Sequence, residues 1–460
     1  MSRKTYYITT FGCQMNVLDS ERMEGILREK GMSPAPSQEQ ADLILVNTCT
    51  VREKPERKAL SLIGRLCLFK KQKPELILGI SGCVAQQYGK ILLERFAELD
   101  FVLGANQVAL LGKVLERVEQ GERVLEVSFA EPHQADGLFS VSELRPITGV
   151  SGFVTIMEGC DNFCSYCVVP YVRGREYSRE AGEIISEITA LSQKGVKEVV
   201  LLGQNVNSYG LKRGSGLDFP ELLKMVCRVD GIERVRFTTN HPKDLSLKLI
   251  EVMASEEKIC EQMHLPLQSG SNRVLERMNR GYTQEEYLGL ISKLRSAMPE
   301  IGISTDLIVG FPGEREEDFN ETLNMVQEIK FNEAFTFRYS ARPMTGSAEY
   351  EEQVPEEIRL ERLWRLEKLV REITEQKNQA EVGKIKEILL EGVSKTNPGR
   401  LTGKGRDGRL VHIPKKGAED LIGELVWVKI KQGLKHSLVG ELIEERKKSH
   451  WQGEEQCLLR

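Results

Sequence analysis

This 460-residue chain has no apolar run near the roughly 20 consecutive residues that a membrane-crossing helix needs; its apolar stretches are short, as in Leu43-Ile44-Leu45-Val46. The start, Met1 to Tyr6, passes into a mixed stretch broken by Thr9 and Thr10, with neither the apolar core nor the small-residue cleavage site of a signal peptide. A cytoplasmic protein without membrane contact is expected. Cysteine is scarce: ten residues in 460 are too few for a disulfide scaffold, so their spacing is read as metal chemistry or catalysis. An excess of one charge is also missing. With 64 Lys+Arg against 68 Asp+Glu the formal charge is -4, which excludes a chain that is basic throughout. Forty per cent hydrophobic and 29% charged residues exclude wholesale disorder and fibrous repeats.

The length implies two to four domains, and three patterns divide the chain. Over residues 4–120, β-rich runs (Tyr6 to Thr10, Leu43 to Val46, Leu76 to Ile80) alternate with helical ones, which indicates a parallel α/β sheet. Residues 121–145 have little periodicity and read as a linker. Over residues 146–376 the alternation repeats six times, with strands at Phe153 to Met157, Val199 to Leu202, Val235 to Thr239, Met263 to Leu267, Ser304 to Val309 and Ala334 to Tyr339. Six βα units predict a partial (βα)6, TIM-like barrel with its chemistry at the C-terminal ends of the strands. A charged helix, Pro355 to Ala380, carries an apolar stripe at Leu360, Leu363, Leu366, Val370 and Ile373, for packing on that barrel. Residues 379–445 change to strands at Ile385 to Leu390, Leu410 to Ile413, Leu425 to Ile430 and Ser437 to Ile443, separated by turns rich in glycine (Gly399, Gly403, Gly405, Gly408). This predicts a small β-barrel. The tail 446–460 offers little to pack.

Cys160-x3-Cys164-x2-Cys167 directly follows the first barrel strand. Cys thiolates hold iron–sulfur clusters, and three close ligands on a four-iron cube leave one iron open. The competing reading, structural zinc, lacks the second Cys or His pair at a suitable distance. Cys13, Cys49 and Cys83 are 36 and 34 residues apart, each just past the end of a strand. The carboxyl ends of parallel strands line the crevice of an α/β sheet, so these thiols can converge on a second cluster. A single Cys in that position is more often a small buried hydrophobe; three in the same phase argue otherwise. Cys67, Cys227, Cys260 and Cys457 read as packing or surface residues, and each of the six histidines as satisfied or on the surface.

The Cys-x3-Cys-x2-Cys motif, with Tyr166 before its last cysteine and a (βα)6 pattern behind it, resembles the radical S-adenosylmethionine superfamily. Together with the three-cysteine first domain and a last domain that resembles the RNA-binding TRAM module, nearly the whole chain is similar to the methylthiotransferases. Gly12-Cys13-Gln14-Met15-Asn16, Asn47 through Lys54, Gly159 through Cys164, Val169 through Glu176, His264 through Ser271 and Gly310 through Glu314 resemble the tRNA-2-methylthio-N6-dimethylallyladenosine synthases within that family. Met344 stands where the family more often has Gly, and Gly408-Arg409 and Lys415-Lys416 also depart from its wording.

The resemblance implies two [4Fe–4S] clusters and S-adenosylmethionine as cofactors, and methylthiolation at carbon 2 of N6-isopentenyl-adenosine in tRNA beside the anticodon. One S-adenosylmethionine would methylate sulfur at the cluster of Cys13, Cys49 and Cys83. A second, cleaved at the cluster of Cys160, Cys164 and Cys167, would give the radical that takes the ring hydrogen. Carbon 2 bears no acidic hydrogen and no leaving group, so acid–base or nucleophilic catalysis has nothing to act on there. The same resemblance implies an electron donor, sulfur or iron–sulfur delivery proteins, and a monomer. The alternatives are methylthiolation of threonylcarbamoyl-adenosine in tRNA or of a ribosomal-protein aspartate, and a non-catalytic iron–sulfur RNA-binding protein; Val51-Arg52-Glu53-Lys54 favours the isopentenyl-adenosine group.

With Tyr166, the strand-end groups Gly203, Gln204, Asn205, Gln268, Asp306, Gly310 and Glu314 suit recognition of S-adenosylmethionine. Ordinary βα-turn chemistry explains each of the strand-end positions equally well. Arg173 and Arg175 suit phosphate or a cofactor carboxylate. Between Lys384 and Lys435 there are 12 Lys+Arg and 6 Asp+Glu, a local excess of +6 hidden in the overall -4. Lys395, Arg400, Lys404, Arg406 and Arg409 are accordingly expected to contact RNA, the bland alternative being a solvated face.

Overall fold

Alternating β-rich and helical runs close, in the first 126 residues, into one six-stranded parallel sheet. The computed structural model describes residues 4–50, 53–129, 149–212 and 217–443. Val51, Arg52, Cys457, the tail 446–460 and most of the expected linker lie outside the described residues. The sheet comprises β1 (Thr5–Thr10), β2 (Ser33–Pro34), β3 (Leu43–Thr48), β4 (Ile77–Gly82), β5 (Phe101–Gly104) and β6 (Val124–Glu126), in the order β2-β1-β3-β4-β5-β6. Every residue of β3 is buried, as in a central parallel strand covered on both faces. Ile44 and Val46 join one core, Leu43 and Leu45 the other. Helices α1 (Gln14–Glu29), α2 (Glu53–Gln72) and α3 (Cys83–Arg95) follow β1, β3 and β4. Helix α2 buries Ala59, Leu62, Ile63, Leu66 and Cys67, the i, i+3, i+4, i+7, i+8 stripe of an amphipathic helix. The expected linker therefore starts too early: Val124–Glu126 pairs with β5 and completes the sheet.

The central domain runs from β7 (Ser151–Thr155) through a two-stranded ribbon, β8 (Met157–Glu158) with β9 (Tyr177–Ser178), to β10 (Glu198–Leu202), β11 (Arg234–Phe237), β12 (Gln262–His264), β13 (Gly302–Val309) and β14 (Glu333–Arg338). Its six barrel strands form two parallel sheets, β11-β10-β7 and β12-β13-β14, joined through a bridge between Val235 and Ile259. The long helix Glu356–Gln379 packs on the barrel through buried Leu366 and Ile373 and half-buried Leu363 and Val370. Leu360, expected on that stripe, points outward with 48% exposure.

The last domain is a closed barrel of β15 (Ile385–Val393), β16 (Arg400–Gly405), β17 (Leu410–Pro414), β18 (Leu425–Gly433) and β19 (Leu438–Leu442). Gly403 and Gly405, read from sequence as turn residues, lie inside strand β16. A Cβ on Gly403 would stand 2.1 Å from the Leu389 carbonyl, so the glycine lets β15 approach rather than turning the chain. The small barrel docks at the N-terminal ends of the central strands. Arg234, fully buried at the start of β11, donates to the Lys404 carbonyl (2.7 Å), the Glu387 carbonyl (3.0 Å) and Glu387 Oε1 (2.8 Å). Arg236 links Glu198 Oε2 (2.7 Å) to the Gly405 carbonyl (2.7 Å). No described helix is long and apolar enough to cross a membrane.

Candidate active site

The register of the first sheet decides where its three cysteines meet. Thr10 pairs with Asn47 across β1 and β3, and Thr48 pairs with Gly82 across β3 and β4. Cys49 and Cys83 thus leave adjacent strands side by side, while Cys13 caps the N-terminus of α1 on the neighbouring strand. Two asparagines fix this corner. Asn16 Oδ1 accepts from the Cys13 backbone N–H (3.3 Å) and lies 3.5 Å from its Sγ, and its Nδ2 donates to the Thr48 carbonyl (3.0 Å). Asn47 Nδ2 donates to the Asn16 carbonyl (2.8 Å) and Ser20 Oγ (2.9 Å). Gly12 and Gly82 have φ of 145° and 91°, and a Cβ on Gly82 would stand 2.3 Å from the Thr48 carbonyl. Only glycine permits both that conformation and that approach.

Cys160, Cys164 and Cys167 occupy a loop at the C-terminal mouth of the central barrel, immediately after β8. It is held from several sides. The Cys160 backbone donates to the Gly174 carbonyl (3.2 Å) and the Cys167 backbone to the Cys164 carbonyl (2.9 Å). Asn279 Nδ2 donates to the carbonyls of Asn162 (3.2 Å) and Phe163 (3.1 Å), and the Ser347 backbone to Ser165 (2.8 Å). Arg280 Nη1 reaches Cys164 Sγ at 3.3 Å and the Tyr166 hydroxyl at 3.4 Å.

A hydrogen bond from Cys49 draws the Cys13 thiol down to about 6, whereas burial pushes Cys160 up to about 11 and Cys167 up to about 12. Buried thiols become thiolates when a metal takes the charge. Among the described residues no three His, Cys, Asp or Glu side chains are gathered around a single-ion site. Two sets of three thiols at loop and strand ends fit cluster ligation, each leaving one iron without a protein ligand.

The strand ends beside this loop carry a row of buried polar atoms with no hydrogen-bond partner in the protein: Asn205 Oδ1, Asn240 Oδ1, His241 Nε2, Gln268 Oε1 and Asp306 Oδ1. They lie at β10 to β13, as polar groups awaiting a ligand would. Gln268 holds φ at 69°, a strained conformation for a side-chain-bearing residue. His241 Nδ1 accepts from the Lys243 backbone (3.3 Å), so Nε2 carries the proton of the neutral ring; burial pushes its pKa down to about 2. The expectation that every histidine is satisfied or exposed therefore fails at His241. Next to the loop is a cavity of about 290 Å³ lined by Asp161, Glu176, Asn205, Lys243, Asp244 and Arg280 among others. Gln204 Oε1 accepts from the Gly159 backbone (2.5 Å), and Gly203 packs where a Cβ would meet Met157.

Several expected ligand contacts have other partners. Gly310 and Glu314 bond each other: the Gly310 backbone donates to Glu314 Oε1 (2.9 Å), that oxygen takes a second bond from Arg362 (2.8 Å) on the long helix, and Glu314 Oε2 stays buried without a partner in the protein. Arg173 does not face solvent. It is 4% exposed and donates to Asp19 Oδ2 of α1 at 2.7 Å, so it is no RNA contact. Arg406 binds Glu261 (2.7 Å) and the Ile259 carbonyl (2.7 Å), and Arg409 binds Asp407 (2.6 Å) and Asn378 (3.2 Å). Both lock the small barrel in place instead of presenting charge to RNA. Arg175 stays 74% exposed although it pairs with Asp161 and stacks over Phe163, Lys395 is exposed, Arg400 half-buried and Lys404 41% exposed. Cys67, Cys227 and Cys260 are buried packing residues. Met344 adopts φ of 74°, the conformation that explains a glycine preference there.

Sequence reasoning passed over Asn240, His241 and Arg280, and quoted Asn16 and Asn47 only as neighbours of cysteines. For the asparagines the signal was present: a polar residue at the C-terminal end of a buried strand, two positions before a candidate ligand, in the case of Asn47.

Residues 5–104 match the Uncharacterized protein family UPF0004, residues 154–326 the Radical SAM superfamily and residues 379–443 the TRAM domain. The chain is 49% identical over 446 residues to the tRNA-2-methylthio-N(6)-dimethylallyladenosine synthase of Carboxydothermus hydrogenoformans, covering 96% of this chain and 100% of that protein. It is 47% identical over 439 residues to the protein of the same name from Geotalea uraniireducens, covering 95% and 99%. Among solved structures, the radical S-adenosylmethionine methyltransferase TsrM from Kitasatospora setae, with cobalamin and a [4Fe-4S] cluster bound, gives a TM-score of 0.56 at 15% identity over 76% of this chain and 74% of that one. At that identity the likeness is one of fold.

Proposed function

The chain belongs to the family of tRNA-2-methylthio-N(6)-dimethylallyladenosine synthases, and from that premise we propose which of its residues do the work. The protein is a radical S-adenosylmethionine enzyme that uses [4Fe–4S] clusters to methylthiolate carbon 2 of N6-dimethylallyladenosine in tRNA. Cys160, Cys164 and Cys167 hold the cluster that binds S-adenosylmethionine; Cys13, Cys49 and Cys83 hold the auxiliary one. When bound and reduced, the first would supply the one-electron cleavage of S-adenosylmethionine needed to open an unactivated C–H bond such as that at carbon 2.

The observation that carries this assignment is the pairing of Thr48 with Gly82, which brings Cys49 and Cys83 out of adjacent strands together. Around the cysteines, Asn205, Asn240, His241, Gln268 and Asp306 offer unpaired polar atoms that suit the amino, carboxylate and ribose groups of S-adenosylmethionine. Tyr166 supports the cluster loop through Arg280.

Lys395 and Arg400 remain available to phosphate, Arg175 and Lys404 reach it only by exchanging their pairs with Asp161 (3.0 Å) and Glu391 (3.2 Å), and the anticodon stem-loop is the part of tRNA proposed to reach the cysteines. The small barrel sits at the opposite end of the central strands from them, so RNA held there must pass along the barrel's flank. Cleavage of S-adenosylmethionine needs an electron delivered to the first cluster and each turnover consumes a sulfur atom, so we propose an electron donor and a sulfur or iron–sulfur supplier as partners. We place the enzyme in the cytoplasm as a monomer, with working units 4–126, 146–376 and 379–445, the first extended to include β6.

The test is Cys49→Ala in anaerobically reconstituted protein with dithionite. Cofactor cleavage to 5′-deoxyadenosine should persist while sulfur insertion into tRNA is lost. Equal loss of both activities would contradict separate roles for the two cysteine sets.

A further inference from the structure

The turn 172–175 lies between the two cysteine sets and touches both. On one side the Gly174 carbonyl accepts the Cys160 backbone N–H at 3.2 Å. On the other, Val172 and Val168 share a buried apolar cluster with Cys83. Arg173, between these two contacts, extends into the first domain with only 3% of its side chain exposed. Its Nη2 donates to Asp19 Oδ2 at 2.7 Å, and Arg22 stands 3.8 Å from the other oxygen of that carboxylate. Burial pushes the Cys83 thiol up, and the charge of Arg173 together with a side-chain hydrogen bond from it opposes that rise.

One donor of this guanidinium is unused. Nη1 of Arg173 is buried without a hydrogen-bond partner, with Glu158 Oε1 3.9 Å away. A charged N–H taken out of water and left unpaired is costly. Such a donor at the edge of three thiols is satisfied by an anionic acceptor that those thiols themselves hold. The sulfurs of an iron–sulfur cluster are such acceptors.

We propose that Arg173 is a positioning residue for the auxiliary cluster: its free Nη1–H donates to a sulfur held at Cys13, Cys49 and Cys83, and its charge raises that cluster's reduction potential. Cluster potentials follow net charge, hydrogen bonds to sulfur and exposure. A cation in contact favours the reduced, more negative state. Asp19 acts against it, so Arg173 and Asp19 shift the potential in opposite directions. The same turn also holds the Cys160 backbone, which ties the position of this charge to that of the other cluster.

This inference rests on the reading that the three thiols hold a cluster, and one experiment separates the two. Full-length protein with Cys160, Cys164 and Cys167 changed to Ala is reconstituted anaerobically, its iron and sulfide are counted, and its cluster is titrated potentiometrically by electron paramagnetic resonance. Arg173→Gln should lower the potential by at least a tenfold change in the reduction equilibrium, 59 mV for one electron. Arg173→Lys should restore most of the shift, and Asp19→Asn should move the potential upward. If Arg173→Gln does not fold, the upward shift in Asp19→Asn still decides. A fully loaded Arg173→Gln at the parent potential, or an Asp19→Asn potential that is unchanged or lower, overturns the role of Arg173. A parent that takes up no iron overturns the auxiliary cluster itself, and the inference with it.

Discussion

Arg280 Nη1 stands 3.3 Å from Cys164 Sγ, and the rest of the same guanidinium is spent on the barrel: Nε on the Tyr282 hydroxyl (3.1 Å) and Nη2 on the Pro266 carbonyl (3.1 Å). A single buried side chain thus fastens the cysteine loop to the end of β12. Arg280→Ala should cost about 2–4 kcal/mol, the scale of charged hydrogen bonds lost from a buried site. It should also lower iron retention at Cys160, Cys164 and Cys167. Urea unfolding and iron per chain measure the two effects. Arg280→Lys keeps the charge but not the planar fork, so it should fall between them. Wild-type iron retention in the alanine variant would show that the loop is held without this contact.

The strand that carries each cysteine was legible from local pattern alone, because strand ends in a parallel α/β sheet follow from β-rich runs alternating with helical ones. The partners of the arginines were not. Arg173 meets Asp19 across 154 positions of sequence, and Arg406 meets Glu261 across 145. Nothing local separates an arginine committed to such a partner from one left for RNA. Strand β16 was hidden by glycines whose purpose is close approach of a neighbouring strand, a cause that composition cannot tell from a turn. The unsatisfied nitrogen of His241 is invisible for a similar reason: its burial is created by Tyr282 and Arg280, about forty positions downstream.

Gly82→Ala tests whether the auxiliary cysteines depend on backbone that only glycine can form. With φ at 91° and a Cβ 2.3 Å from the Thr48 carbonyl, alanine must push β3 and β4 apart just where Cys49 and Cys83 emerge. A loss of about 2–3 kcal/mol is expected from left-handed strain plus the clash. Iron per chain should fall by about half after reconstitution, the auxiliary share, as two equal clusters require. Full iron loading in a folded Gly82→Ala protein would mean that the thiols can meet without this approach.

Glu314 gives a pH dependence with a defined sign. Burial pushes its carboxyl up to about 7 from an ordinary 4.5, against the Gly310 N–H and Arg362, which favour the charged form. The native state then keeps a proton that the unfolded chain releases near 4.5. Its contribution is full below that pH, falls as pH rises, and is gone above about 7. The whole change amounts to about 3 kcal/mol at 1.36 kcal/mol per pKa unit. Glu314→Gln cannot titrate, so it should gain on wild type by about that much between pH 4.5 and 7.5 in urea midpoints. A difference between the two proteins that stays constant with pH would show that the carboxyl is ionised throughout, as an ordinary partner of Arg362.

Arg234 offers a way to separate RNA binding from chemistry. It is fully buried at the start of β11, yet all three of its hydrogen bonds go to the small barrel, at Lys404 and Glu387. Arg234→Ala leaves Glu387 facing a buried surface without its cation, a loss of about 3–5 kcal/mol for a broken buried pair. That penalty falls on docking of the small barrel, since Arg234 lies at the opposite end of the strands from the cysteines. Limited proteolysis near residue 380 should quicken and tRNA affinity should drop, while 5′-deoxyadenosine formation without tRNA should stay at the wild-type rate. If cleavage of the cofactor fell in step with tRNA affinity, the small barrel would be supporting the active site directly instead of only holding its substrate.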